Sequence, residues 1–168
     1  MIRLLLVLAA LSLAALPAAA QTNGGNITAP VSVKVLKPLQ VETLRQLDFG
    51  TIAMGPFTST QTVSVTAAGR TCGSGGLLSC SGTFSTAQFR VTGTNRETVL
   101  ISSVTPTVTL RNAAGQSLSL TPVHPATATM PNSGNQGVLV EVGGQLRIPP
   151  GAADGVYSGV IEIQVAYQ

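Results

Sequence analysis

The feature that most constrains the fold is a series of short alternating or β-branched runs separated by Gly, Pro, Asn and Ser clusters. The runs cover residues 31–35, 39–43, 62–66, 88–92, 99–104, 108–110, 118–120, 138–142, 146–148 and 156–167. Alternation places successive side chains on opposite faces of a strand. Many short strands with turn residues between them are typical of an all-β sandwich or barrel. No helical periodicity is present after the amino-terminal segment, so we predict a single all-β domain.

Two glycine-containing stretches carry local predictions. Gly143 and Gly144 lie between two apolar runs and predict a two-residue hairpin turn, because both central positions of such a turn need positive φ. Phe49 is expected to anchor the core, and Gly50 to permit a bend or bulge beside it. Asp48-Phe49-Gly50 matches a tripeptide found in protein kinases, but no glycine-rich phosphate loop, strand lysine or catalytic loop accompanies it. A packing role is therefore the favoured interpretation.

The run before the carboxyl end predicts a half-buried strand with one apolar face. That face comprises Ile161, Ile163, Val165 and Tyr167. Such a strand can form an exposed sheet edge, which offers unpaired N–H and C=O groups to another chain. Association by strand addition is therefore a leading hypothesis.

Residues 27–41 form a second alternating segment. Its apolar odd positions are Ile27, Ala29, Val31, Val33, Val35, Leu39 and Val41, and Lys37 interrupts this face. The segment is interpreted either as the first strand of its own sandwich or as a strand donated to a neighbour. Prolines at positions 30 and 38 favour an edge position in both cases.

The amino terminus has the pattern of a secretory signal. Arg3 supplies the positive charge, residues 4–16 are largely apolar, and Ala18–Ala20 form a small-residue cleavage site. We expect residues 1–20 to be removed, residues 21–43 to be an extension, and residues 44–168 to be the sandwich domain. The protein is then secreted to the periplasm or cell surface, with no predicted spanning segment in the mature chain.

Charge excludes one class of partner. Without Arg3, the chain has eight Lys and Arg residues and six Asp and Glu residues, and the basic residues form no stripe along the sequence. Nucleic-acid binding needs such a stripe or an aromatic stacking platform, so we predict no nucleic-acid partner.

Two cysteines enclose a glycine-rich stretch. In an exported protein, Cys72 and Cys80 most simply form a disulfide. The alternatives are a redox pair or metal ligands, but the spacing is not C-x-x-C and His124 is the only histidine.

No motif for catalysis stands out. The six acids are dispersed, His124 lies in a proline-bounded loop, and no Gly-x-Ser-x-Gly elbow is present. We therefore predict no enzyme activity, no cofactor and no metal site.

The last fourteen residues resemble the carboxy-terminal strand of chaperone–usher pilus subunits. Gly155 and the penultimate Tyr167 bracket alternating apolar residues. A glycine and a penultimate aromatic residue bracket the corresponding strand in those subunits. The resemblance implies that a periplasmic chaperone contacts Gly155, Ile161, Ile163, Val165 and Tyr167 by strand pairing.

A second resemblance covers nearly all of the mature chain. The sequences at residues 47–52, 89–93, 142–146 and 155–159 look like an exported bacterial family, domain of unknown function 4402 (DUF4402), which is similar to spore coat U and pilin-like domains. It implies an immunoglobulin-like or pilin-like sandwich from a Gram-negative bacterium, with no established activity. The expected function is a pilin-like or coat-like subunit that associates with itself by strand addition. The alternative is a self-complete, monomeric secreted or periplasmic binding module.

Overall fold

The computed structural model describes residues 28–132 and 136–168, which contain twelve β-strands and no α-helix. The chain divides after Lys34 into two units, and all twelve strands lie in the second unit. The strands are β1 (Gln40–Arg45), β2 (Thr51–Met54), β3 (Gln61–Thr66), β4 (Gly69–Cys72), β5 (Leu78–Ser81), β6 (Ala87–Thr92), β7 (Thr98–Ser103), β8 (Val108–Arg111), β9 (Ser117–Val123), β10 (Thr127–Thr129), β11 (Val138–Ile148) and β12 (Ile163–Tyr167). The all-β prediction is confirmed.

Every strand pair is antiparallel, and the strands form two layers. The larger sheet has the order β1-β6-β11-β3-β4, with β9 paired to β11 and β8 paired to β9. The smaller sheet has the order β10-β7-β12, and β2 and β5 form a separate two-stranded ribbon. β1 and β12 are therefore end strands of different sheets.

The core between the layers consists of two clusters. One contains Val91 and Val140 of the larger sheet and Val99 and Ile101 of the smaller sheet, which makes the fold a sandwich at this point. The other packs β3, β8, β9 and the second half of β11 against residues of the β2–β5 ribbon. Leu47 contacts both clusters.

The predicted hairpin at Gly143 and Gly144 is wrong. Both residues lie inside β11, at the point where pairing with β6 ends and pairing with β3 and β9 begins. A Cβ atom at Gly143 would overlap the carbonyl oxygen of Val65, and one at Gly144 would lie 2.6 Å from the Cδ1 atom of Leu120. These glycines serve close packing, which is the other reason for glycine within a strand.

Residues 31–35 were predicted to be a strand, but the structure has no strand there. Sequence alternation favours an extended chain, and a strand also needs a neighbour to satisfy its backbone groups. The terminal run is likewise shorter than predicted: its regular part is β12, and a single bridge joins Ser158 to Arg111 further upstream.

The predicted disulfide between Cys72 and Cys80 is confirmed and connects β4 to β5. Next to it, the Arg70 guanidinium donates to the carbonyl oxygens of Phe49 and Ser81 at 2.8 and 3.1 Å. It also lies over the ring of Phe84 at 4.9 Å. Gly50 has φ +72° and leaves the space that this guanidinium occupies, as expected for a bend beside the half-buried Phe49.

Candidate functional site: the open edge of β12

Strand β12 has one edge with which no described residue pairs. On the paired side, the Glu162 carbonyl accepts from the Val104 amide at 3.0 Å, and the Gln168 amide donates to the Thr98 carbonyl at 3.1 Å. Hydrogen-bonded pairs alternate along an antiparallel ladder, so the even-numbered residues bond to β7. The odd-numbered residues, whose backbone groups face away from β7, are Ile163, Val165 and Tyr167.

Contacts on the other side of β7 agree with this assignment. Ile101 lies opposite Val165, and the Ile101 amide donates to the Ala126 carbonyl at 2.9 Å. That amide therefore faces β10 and is not directed at β12. The unpaired edge belongs to the residues that the sequence placed on the apolar face of the terminal strand.

The side chains of these same odd-numbered residues reach the core without being fully covered. Ile163, Val165 and Tyr167 pack against the cluster between the two sheets, yet each is only half-buried. Ile161, immediately before β12, is also half-buried and contacts both core clusters. The core is thus incompletely closed along this strand.

The end strand of the facing sheet has a matching exposed position. Val41 of β1 lies opposite Val91 of β6, and opposite residues of a strand pair share one face. Val91 is 0% exposed, whereas Val41 is 47% exposed. Apolar surface of the inner face is therefore open at β1 as well as at β12.

A cluster of three hydrogen bonds joins the residues before β1 to the end of β12. The Tyr167 hydroxyl accepts from the Thr94 amide and donates to the Lys37 carbonyl, each at 2.7 Å. The Lys37 amide donates to the Thr94 hydroxyl at 2.7 Å. We call this arrangement the Lys37 clamp. Gly93 makes it possible, because a Cβ atom there would overlap the Tyr167 hydroxyl oxygen.

The residues ahead of the clamp are exposed. Val31 and Val33 belong to the first unit and are 94% and 84% exposed, and Val35 in the second unit is 84% exposed. Ala29 is also exposed, and Ile27 lies outside the described residues, as do the predicted signal at residues 1–20 and the start of the extension at residue 21. The expected boundary between residues 43 and 44 falls within β1.

Gly155 is separated from the edge formed by the other residues of the terminal motif. It precedes β12 by eight positions, has φ +138°, and is exposed beside the side chain of Asn112. The sequence indicated the apolar face of β12 but not the Lys37 clamp. The clamp joins residues 57, 73 and 130 positions apart, and no local pattern connects them.

Metal binding and membrane spanning are two further possibilities for residues 28–132 and 136–168. These residues contain no cluster of three or more His, Cys, Asp or Glu side chains that could hold a metal ion. No helix in the same ranges is both long and apolar enough to cross a membrane. The predictions on enzyme activity, cofactors and localisation stay predictions.

Comparison with known proteins supplies the family. The model of the family described as Domain of unknown function (DUF4402) matches residues 39–167. The chain belongs to this family. The DUF4402 match includes all twelve strands and the Tyr167 end of the open edge, and begins after Lys37 and Pro38. Neither the curated proteins nor the solved structures gave a match.

Proposed function

We propose that this DUF4402 protein is an exported structural subunit, pilin-like or coat-like, that associates by β-strand addition at the open edge of β12. The observation that carries the proposal is the coincidence of two deficits on the same three residues. Ile163, Val165 and Tyr167 have both unpaired backbone groups and half-covered apolar side chains. One added strand removes both deficits, because its backbone pairs with the open edge while its alternate side chains cover the exposed part of the core.

The exposed valines before the Lys37 clamp have the pattern of such a strand. Val31, Val33 and Val35 fall on one face of an extended chain, and Ser32 and Lys34 fall on the other. Exposed apolar residues in this spacing suit a surface that becomes buried on association. In the added position, the valines extend the cluster between the sheets and cover Val41.

The proposal includes a location and an assembly partner. Residues 1–20 direct export to the periplasm or the cell surface. An open edge with apolar side chains is an aggregation hazard before assembly. A periplasmic chaperone that pairs with β12 protects this edge until another subunit occupies it.

Size-exclusion chromatography with light scattering tests the proposal. We compare the chain that begins at Gln21 with one that begins at Lys37, which keeps Lys37, Thr94 and Tyr167 of the clamp. The longer chain is expected to form species that grow with concentration, and the shorter chain to remain a monomer with an unchanged melting temperature. A longer chain that stays monomeric at every concentration contradicts strand addition.

The second candidate is a self-complete monomeric binding module without catalysis, adhesin-like in character. An open cleft of about 560 Å³ is lined by residues that include Met54, Phe57, Leu77 and Ala152, and its volume lies within the range of ligand sites. In this alternative, residues 27–41 pair in the protein's own sheet. Removal of residues 21–36 then abolishes cooperative melting and does not merely prevent association.

A further inference from the structure

We infer that the Lys37 clamp makes strand addition intermolecular, so that the strand received by β12 comes from a second copy of this chain. This inference rests on the proposed function and specifies its partner. The opposite arrangement is closure, in which a chain folds residues 28–36 onto its own β12. Three features of the clamp region oppose closure.

First, residues 37–39 continue the line of β1 beyond its first residue. Gln40 pairs with Thr92 in the antiparallel register. One position further out, the Leu39 side chain lies against Gly93, and beyond it the Lys37 amide bonds to Thr94. The chain therefore enters β1 in line with that strand, and it must reverse direction to run along its own β12.

Second, the clamp leaves no freedom for this reversal at Lys37 or Pro38. Both backbone groups of Lys37 are hydrogen-bonded, one to Thr94 and the other to Tyr167. Pro38 has a fixed φ and restricts the preceding residue to extended conformations. The turn needed for closure has to lie before residue 37.

Third, the preceding residues are poor turn formers. Lys34, Val35 and Leu36 include no Gly, Pro, Asn, Asp or Ser. A β-branched residue such as Val35 also resists the positive φ that tight turns use. A turn here would also take the Val35 side chain out of the alternating apolar face. In the structure this side chain is 84% exposed.

The exposed segment is long enough to serve another molecule. Residues 28–36 span about 30 Å when extended, whereas the five residues of β12 span about 17 Å. Most of the segment can therefore pair with a partner's edge while its own clamp stays closed. These considerations commit the occupant of the edge to residues 28–36 of a second copy.

Thiol cross-linking distinguishes the two arrangements. Ser32→Cys places a thiol on the outer face of the segment, and Gln164→Cys places one on the outer face of β12, where both native side chains are exposed. A short bis-maleimide links the two thiols when the strands are adjacent, and it spares the Cys72–Cys80 disulfide. All chains begin at Gln21.

Two samples are compared. A mixture of the two single variants reports links between chains. The double variant, diluted into excess unmodified protein, reports links within one chain, because each labelled chain then meets mostly unlabelled partners. We expect covalent dimers from the mixture and internal links at least about tenfold less abundant, a ratio equivalent to about 1.4 kcal/mol.

Tyr167→Phe and Thr94→Val test the clamp itself. The first removes the hydroxyl that contacts Lys37 and Thr94, and the second removes only the hydroxyl that accepts from the Lys37 amide. Each is expected to raise the ratio of internal to intermolecular links several-fold, since each lost hydrogen bond weakens the restraint. Thr94→Val keeps the Tyr167 hydroxyl. It therefore remains a test of the clamp if Tyr167→Phe destabilises the fold and lowers the melting temperature.

The possible failures are separable. Internal links that predominate in the chain with an intact clamp overturn the intermolecular inference and leave strand addition standing. A ratio unchanged by both clamp variants overturns the role of the clamp. No links in either sample contradict the proposed function itself.

Discussion

Val33→Asp is the most informative single substitution, because it introduces a charge at the middle valine of the exposed segment. In the monomer Val33 is 84% exposed, so the substitution leaves the folded subunit nearly unaffected. After strand addition the same side chain faces the core between the sheets. The substitution therefore acts on association and not on folding.

The size of the effect follows from burial. Burying a valine contributes about 1.5 kcal/mol. Because Val33 is exposed in the monomer, nearly all of this contribution arises only on association. The aspartate loses this contribution, and transfer of its carboxylate from water costs several kcal/mol more. A total of at least about 4 kcal/mol corresponds to roughly a thousandfold weaker association.

The matched control is Ser32→Asp, which adds the same charge to the outward face of the same segment. This charge stays in water after strand addition, so we expect a change of at most about 0.5 kcal/mol, roughly twofold in association. Val33→Ala is intermediate, because the lost methyl groups weaken association by about tenfold.

Sedimentation velocity over a range of concentrations measures the association of all four chains, the wild type and the three variants. Thermal melting checks that each subunit is folded. The expected order of association is wild type and Ser32→Asp together, then Val33→Ala, then Val33→Asp. Equal weakening by Ser32→Asp and Val33→Asp would show that the charge acts without regard to face. That result would refute an alternating strand whose valines enter the core.

Three further predictions concern the fold. Gly143→Ala should cost about 3 kcal/mol and lower the melting temperature by roughly 10 °C, because its Cβ atom meets the backbone of Val65; calorimetry showing no change would contradict this packing. Replacing Cys72 and Cys80 with Ser together should cost about 2.5 kcal/mol in urea denaturation yet leave association intact, and loss of association would instead connect the disulfide to the edge. Arg70→Ala should cost about 1–3 kcal/mol by the same denaturation, since Arg70 donates to two backbone carbonyls, and unchanged stability would remove its role as a brace.

Much of the strand layout could be predicted from alternation. β3, with Val63 and Val65 buried, Thr62 exposed before them and Ser64 half-buried between them, has the pattern of a half-buried strand. β6, β7 and β9 follow from similar runs. The signal is strong in these strands because one face meets the core and the other meets water or polar neighbours.

The short strands β4 and β10 could not be predicted in this way. β4 begins with Gly69 and ends with Cys72, and its four residues have no buried member. Its position comes from pairing with β3, a tertiary cause that a local pattern does not contain. β10 is similarly defined by its pairing with β7.

Gly143 and Gly144 show where the same evidence permits two structures. Two glycines between apolar runs suit a hairpin when positive φ is needed, and they suit a continuous strand when another backbone comes close. The second cause applies in β11, and only the position of β3 distinguishes the two. The apolar face of β12 was evident from sequence, whereas the clamp depends on residues brought together by the fold.

Residue-resolved amide hydrogen exchange on β12 tests the open edge most directly. The chain that begins at Lys37 is measured alone and with a synthetic peptide of residues 28–36. Alone, the amides of Gln164 and Ala166 should be protected by β7, and those of Ile163, Val165 and Tyr167 should exchange rapidly. The peptide should slow exchange at these three odd-numbered residues by at least about tenfold, because it supplies their missing hydrogen bonds. Odd-numbered amides that are already protected without the peptide, or that stay fast at saturating peptide, would contradict strand addition at β12.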